Sequence, residues 1–168
     1  MALHRLVLDP AFSRFHVVFD SKPSDWIEKL GGKSVAKRYK PLSGVLFEMT
    51  RGKPGDLFLL VGTPIVTVKA WAALEETLGP HVEALPITVG KKKEKRFILN
   101  VLARADAALD EEACKGNHLA LHAGEVPAAP IFGVGRAAHV ETVVDGTVRK
   151  AVEKAKLSGW KFEAVKTA

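Results

Sequence analysis

The sequence predicts an α+β fold in a single domain, residues 1–168, with a mostly antiparallel or mixed sheet and two or three packed helices. Three observations carry this. Short apolar runs with strand alternation recur along the chain, only a few stretches combine helical spacing with caps, and 168 residues with 47% apolar content suffice for one core.

The elements follow in order. FHVVFDS alternates, with Phe15, Val17 and Phe19 on one face, and predicts a strand within the first twenty residues. SKPSDWIEKLGG predicts a short helix capped by Ser24, with Asp25 and Glu28 in its first turn and Gly31-Gly32 as its stop. Residues 33–44 read as loop, GVLFEMT as a strand, RGKPGD as a turn and DLFLLVG as the next strand. After Val66, Thr67 is a helix cap, and Ala70, Ala73, Leu74 and Thr77 form a helical stripe that ends at Gly79-Pro80. A strand over Val82–Val89 and the apolar run RFILNVLARADAALD, separated by KKKEKR, predict an antiparallel hairpin.

DEEACKGNH is turn-rich, HLALH alternates, AGEVPAAP is loop, and IFGVG and HVETVV are short strands. VRKAVEKAKLSGWKFEAV then resembles the middle of the chain: Asp145 caps as Thr67 does, and Val148, Ala151, Val152 and Ala155 repeat the stripe. Phe162-Glu163-Ala164-Val165 answers Val82-Glu83-Ala84-Leu85, which predicts a repeated strand, helix, turn and strand unit.

The formal charge is +6, yet Lys91 to Arg96 supplies most of it, so the basicity is local. Cys114 is the single cysteine, which excludes an intrachain disulfide framework and fits a reducing compartment. The apolar run near the N-terminus is cut by Asp9-Pro10, too short for a signal-peptide core, and no stretch approaches a membrane span. A cytoplasmic protein with no membrane partner is expected.

Gly133-Val134-Gly135-Arg136-Ala137-Ala138 can be written as a dinucleotide fingerprint, but β-branched HVETVV follows where a helix would be needed, so a glycine-bent strand or turn is the better reading. Cys114, His118 and His122 have spacing that could supply three zinc ligands on a helix. Gly116-Asn117 interrupts such a helix, a fourth ligand is lacking, and no metal or other cofactor is expected. On a strand, His118 and His122 would share a polar face with Ala120, while Leu119 and Leu121 point inward.

Lys91, Lys92, Lys93, Lys95 and Arg96 could meet phosphates, but no aromatic residue interleaves them before Phe97. A solvated hairpin loop accounts for them as well. No nucleophile elbow or HExxH is present, and Asp106, Asp110, Glu111 and Glu112 read as a solvated acidic turn. Trp160, beside the turn at Gly159, reads as a core anchor, whereas Trp26 and Trp71 are either core or surface anchors.

Over residues 56–165 the segment order resembles a bacterial immunity-protein family found beside polymorphic toxins and formerly catalogued as a domain of unknown function. Leu99, Asn100, Val101, Asp106, Ala108, Leu109 and Asp110 match that family's central "LNV … DALD" line, and Leu157, Gly159 and Phe162 match its closing "G-x-x-F" strand. Phe97 stands where the family more often has tyrosine, Thr67 where it often has serine, and Asp145 is the final cap; these changes keep the capping role.

The resemblance implies a binding protein without catalytic residues, which covers a cognate toxin through an interface of about 1,600 Å². Its partner would be a toxin protein encoded by a neighbouring gene, and Trp26, Trp71, Lys91, Lys92, Lys93, Lys95 and Arg96 are the candidate interface. The alternatives are a nucleic-acid-binding module using residues 91–96 and a small metal-dependent hydrolase.

Overall fold

Alternation of apolar residues builds the strands and two capped segments build the helices, in a computed structural model that describes residues 2–12, 15–19, 30–48, 54–116, 118–136 and 139–168. In chain order the strands are β1 (Leu3–Leu8), β2 (Phe15–Phe19), β3 (Leu42–Glu48), β4 (Leu57–Leu60), β5 (Thr63–Thr67), β6 (Val82–Val89), β7 (Glu94–Val101), β8 (Ala120–Leu121), β9 (Ile131–Arg136), β10 (His139–Asp145), β11 (Trp160–Ala164) and β12 (Lys166–Thr167). The helices are α1 (Val68–Leu78) and α2 (Gly146–Lys154).

The architecture is α+β. One sheet has six strands in the order β2-β3-β6-β7-β5-β4, parallel only between β3 and β6; a second, fully antiparallel, has four in the order β11-β1-β10-β9. β8 and β12 form a short parallel pair. The expected hairpin is the β6–β7 pair, whose register runs from Val82↔Val101 to Val89↔Glu94. Among the described residues, no helix is long and apolar enough to cross a membrane.

Both helices start where the sequence places their caps. Thr67 Oγ1 accepts from the Ala70 amide at 3.2 Å, and Asp145 Oδ1 accepts from the Thr147 and Val148 amides at 2.8 and 3.2 Å. The inward face of α1 differs from the expected stripe: Ala70, Leu74 and Leu78 are buried, while Ala73 is exposed. The reason is spacing, since i, i+4 and i+8 lie along one line of the helix, and Ala73 falls outside it. On α2, Val148 and Val152 are buried and Ala151 packs at the edge of the same cluster.

One cluster joins the two helices to both sheets: Leu74, Leu78, Val148 and Val152 meet Leu6, Leu99, Ile131, Val144 and Trp160. Burial of each such side chain stabilises the fold by about 1.5–3 kcal/mol. The strand period of two sends their neighbours to the opposite faces, so Leu85, Ile87 and Ile98 form a second cluster, and Leu3, Phe132 and Val143 a third. Trp160 is a core residue, as expected, and its Nε1 donates to the Phe58 carbonyl at 3.1 Å.

The connections β5–α1–β6 and β10–α2–β11 are alike, because an antiparallel strand, β7 or β1, lies between the two strands that each helix joins. This likeness does not confirm a repeated unit. A 3-10 turn over Gly79–His81 follows α1, whereas α2 is followed by Lys156 and Gly159 at positive φ. β3 begins at Leu42, two residues ahead of the expected strand. The helix expected from Ser24 lies outside the described residues, as do the side chains of β2.

The turn between β4 and β5 carries Val61 at φ 49° and Gly62 at φ 82°, the paired left-handed conformation of a two-residue hairpin. A β-branched residue rarely adopts it. Gly62 fixes the geometry, because a Cβ there would lie 1.8 Å from the Val140 carbonyl oxygen, and its own carbonyl accepts from Thr142 Oγ1 at 2.7 Å. Val61 itself is 66% exposed. Val61→Asn should therefore raise stability by about 1 kcal/mol, read as a higher urea midpoint at unchanged slope; an unchanged or lower midpoint would count against strain at this turn.

Candidate functional site

The site begins with a buried amide. Asn100 on β7 is fully buried and stands opposite Glu83 on β6. Its Oδ1 accepts from the Gly31 amide at 2.7 Å, and its Nδ2 donates to the Lys33 carbonyl and to Glu83 Oε2, each at 2.8 Å. Glu83 in turn accepts from the Val35 amide at 2.8 Å, from the Ala36 amide and from the Ser34 hydroxyl. Burial pushes the Glu83 carboxyl up, but the donors on Ser34, Val35, Asn100 and Ala36 outweigh it and hold the group below its ordinary value. Together the pair fastens residues 31–36 across the outer face of the six-stranded sheet.

Beyond the end of β7 lies Arg104, bridged to Gly133 of β9. Its side chain passes between two glycine pairs. A Cβ would come within 3.3 Å of it at Gly31, 2.7 Å at Gly32, 3.3 Å at Gly133 and 3.2 Å at Gly135. A Cβ at Gly32 would force the arginine stem to shift, and one at the other three positions would press tightly on it. Asp106 then fixes the guanidinium: Nη2 donates to Oδ1 and Oδ2 at 2.8 and 3.0 Å, and Oδ1 also accepts from the Gly135 amide at 2.6 Å.

These groups line a cleft of about 490 Å³, with Leu30 and Val140 as its apolar walls and Lys33 at its rim. Gly32, Lys33 and Asp106 are exposed, so the cleft opens to solvent. Arg104 lines it with a guanidinium that Asp106 already holds through Nη2 and whose Nη1 packs against Gly31 and Gly133. Chemically this is a cation that the fold holds in place and that a carboxylate on the same wall already pairs.

The residues singled out by sequence fall elsewhere. Lys91, Lys92 and Lys93 are exposed in the β6–β7 turn, and Lys95 is exposed on β7. Arg96 does not belong with them: it is 5% exposed, and its Nη2 pairs with Glu94 at 3.0 Å. The strand starts at Glu94, so its alternation turns Arg96 onto the face of Ile98 and away from the lysines. Trp71 is half-buried on α1 with its ring 6.1 Å from that of Phe97, and Trp26 lies outside the described residues.

Cys114 is half-buried and its sulfur accepts from the Ala120 amide at 3.3 Å, while His118 and His122 are exposed. Among the described residues no three His, Cys, Asp or Glu side chains are placed to hold a metal. Leu119 and Leu121 are buried as a strand reading requires, but Ala120 is buried too, against the polar face expected for it. The Ala120 amide and carbonyl face Cys114 and Asp110, which cover it. Of the acidic group, Asp106 holds Arg104, Asp110 accepts from the Ala113 amide at 3.0 Å, and Glu111 and Glu112 are exposed.

Gly133 and Gly135 lie on a strand. The strand is the one expected at IFGVG; what the sequence reading missed is that these two glycines make room for Arg104. The signal available was two glycine pairs, Gly31-Gly32 and Gly133-x-Gly135, whose small size answers a single large side chain. No family model matches the chain, and no curated protein matches it.

Proposed function

We propose that this chain is an immunity protein: a cytoplasmic, stoichiometric binder, not an enzyme, that neutralises a cognate toxin encoded by a neighbouring gene. One observation supports the reading above others. Residues that carry the resemblance, Asn100 and Asp106, are those that fix the walls of the open cleft, through Gly31 and Lys33 on one side and Arg104 and Gly135 on the other. A motif that holds a surface cleft in one shape serves recognition, because a preorganised surface loses less freedom on binding.

Co-expression of the neighbouring toxin with this chain tests it. Rescue of growth and co-elution of the pair on a sizing column are the expected results. Unchanged killing with no complex would remove the reading.

A further inference from the structure

We propose that His4 is a proton-sensitive latch: as a neutral ring it lets α2 close over β1 and β11, and once protonated it releases that contact. His4 stands on β1, inside the four-stranded sheet, with 8% of its surface exposed. The strand period of two puts it on the face of Leu6, the face on which Val148 and Val152 of α2 pack. Its Nδ1 is buried and has no hydrogen-bond partner, and among the described residues no other buried side-chain nitrogen or oxygen is in that state. The proton of the neutral ring therefore belongs on Nε2, because a bare buried acceptor costs less than a bare buried donor.

Each neighbour of the ring can be named. Val144 on β10 and Ala164 on β11 lie across from His4, and the Phe162 ring stands edge-on to it, with centroids 6.1 Å apart and planes at 83°. None of these three side chains carries an oxygen or nitrogen to accept from a second ring proton. α2 supplies the charges: Arg149 opposes a positive ring and Glu153 favours one. Glu153 is already engaged, since Arg149 Nε donates to its Oε1 at 2.8 Å. The adjacent charges are held elsewhere. Arg5 lies on the opposite face with Glu141 and Glu163, and Asp145 caps α2 through the Thr147 and Val148 amides.

Protonation thus places an N–H at Nδ1 with nothing to receive it, in a buried position beside a cation. Burial first and Arg149 second hold the imidazole below its ordinary value of 6.5, and Glu153 offsets part of this. The unfolded ring takes up its proton near 6.5 and the folded ring only at lower pH. The cost is therefore absent at neutral pH, begins near 6.5 and grows until the folded value is passed. β1 is paired on both sides, so α2, which packs on one face only, is the element that yields. Lifting it brings water to Nδ1 and frees Glu153 to face the cation. Glu83 titrates further into acid, so its effect on stability falls in a separate window.

Two measurements on the intact chain test the latch. By NMR the His4 ring should show the Nε2–H tautomer at pH 7.5 and titrate below 6.5, and Arg149→Gln, a change at an exposed side chain, should move that midpoint upward. In urea, His4→Phe keeps a ring against Phe162 and removes both nitrogens. Between pH 7.5 and 5.5 the unfolding constant of wild type should rise relative to that of His4→Phe by up to about tenfold. Over the same range, hydrogen-exchange protection at Val152 on α2 should fall more than at Leu74 on α1. Equal pH dependence in wild type and His4→Phe, or equal loss at Val152 and Leu74, would overturn the proposal. An Nδ1–H tautomer, or a midpoint at or above 6.5, would overturn it even if His4→Phe does not fold.

Discussion

Gly159→Ala is expected to destabilise the fold by about 3–5 kcal/mol, as the sum of backbone strain and overpacking. Gly159 stands at φ 118°, and a Cβ there would lie 2.0 Å from the Leu57 carbonyl oxygen, a backbone atom that cannot swing aside. The contact belongs to a seam. The Leu57 amide donates to the Ser158 carbonyl at 2.9 Å, the Asp9 amide to the Gly159 carbonyl at 2.9 Å, and Asp56 accepts from the Ser158 amide. Moving one strand to admit a methyl group would therefore loosen β4, β11 and the residues after β1 together. Denaturant unfolding measures the loss, with Gly124→Ala as a control, because nothing lies within 4 Å of a Cβ at Gly124. A loss below about 1 kcal/mol, the ordinary size for a point change, would show that the seam yields.

Asn100→Ala should cost about 2–4 kcal/mol, since it removes a fully buried amide together with its three hydrogen bonds. The Gly31 amide and Lys33 carbonyl lose their partner outright, and Glu83 loses one donor. Hydrogen exchange at Gly31 should quicken far more than at Ile98, on the same strand as Asn100 but in the neighbouring apolar cluster. Equal acceleration at both would mean that the amide supports the whole sheet and not the loop. Glu83 adds a pH dependence of definite sign. Its folded carboxyl titrates below the unfolded one, so its contribution is present above the unfolded value, near about 4.3, and lost as pH falls through the folded value. The stability gap between wild type and Glu83→Gln should accordingly be full at neutral pH and close in acid; a gap that widened in acid would contradict the assignment.

What could be read from the sequence was what a few neighbouring residues decide. Thr67 and Asp145 cap their helices through amides two or three positions away, and the β6–β7 hairpin follows from two apolar runs with a charged turn between them. Ala73 was misplaced because an alanine fits either face of a helix, and the buried side of α1 is chosen by α2 and the sheets. Arg96 was hidden by composition: a run of charges obscures the alternation that, once the strand starts at Glu94, puts Arg96 on the same face as buried Ile98 and Asn100. The Arg104 slot was harder still. Its glycine walls are far apart in the chain, and only the tertiary fold brings Gly31-Gly32 and Gly133-x-Gly135 to the same side chain.

β1 pairs with β10 on one side and β11 on the other, His4 lying opposite both Val144 and Ala164. Translation therefore makes the centre of the four-stranded sheet first and its neighbours last. At about 5–20 residues per second the first strand waits on the order of 10–30 s for either edge to be matched. During that interval Leu3 and Leu6, both destined for the interior, have no sheet to enter, so the nascent chain carries a sticky segment past its own six-stranded sheet. Moving β1 to follow β11 in a permuted gene would shorten the wait to seconds, and the gain in soluble yield would report how much that delay costs the cell.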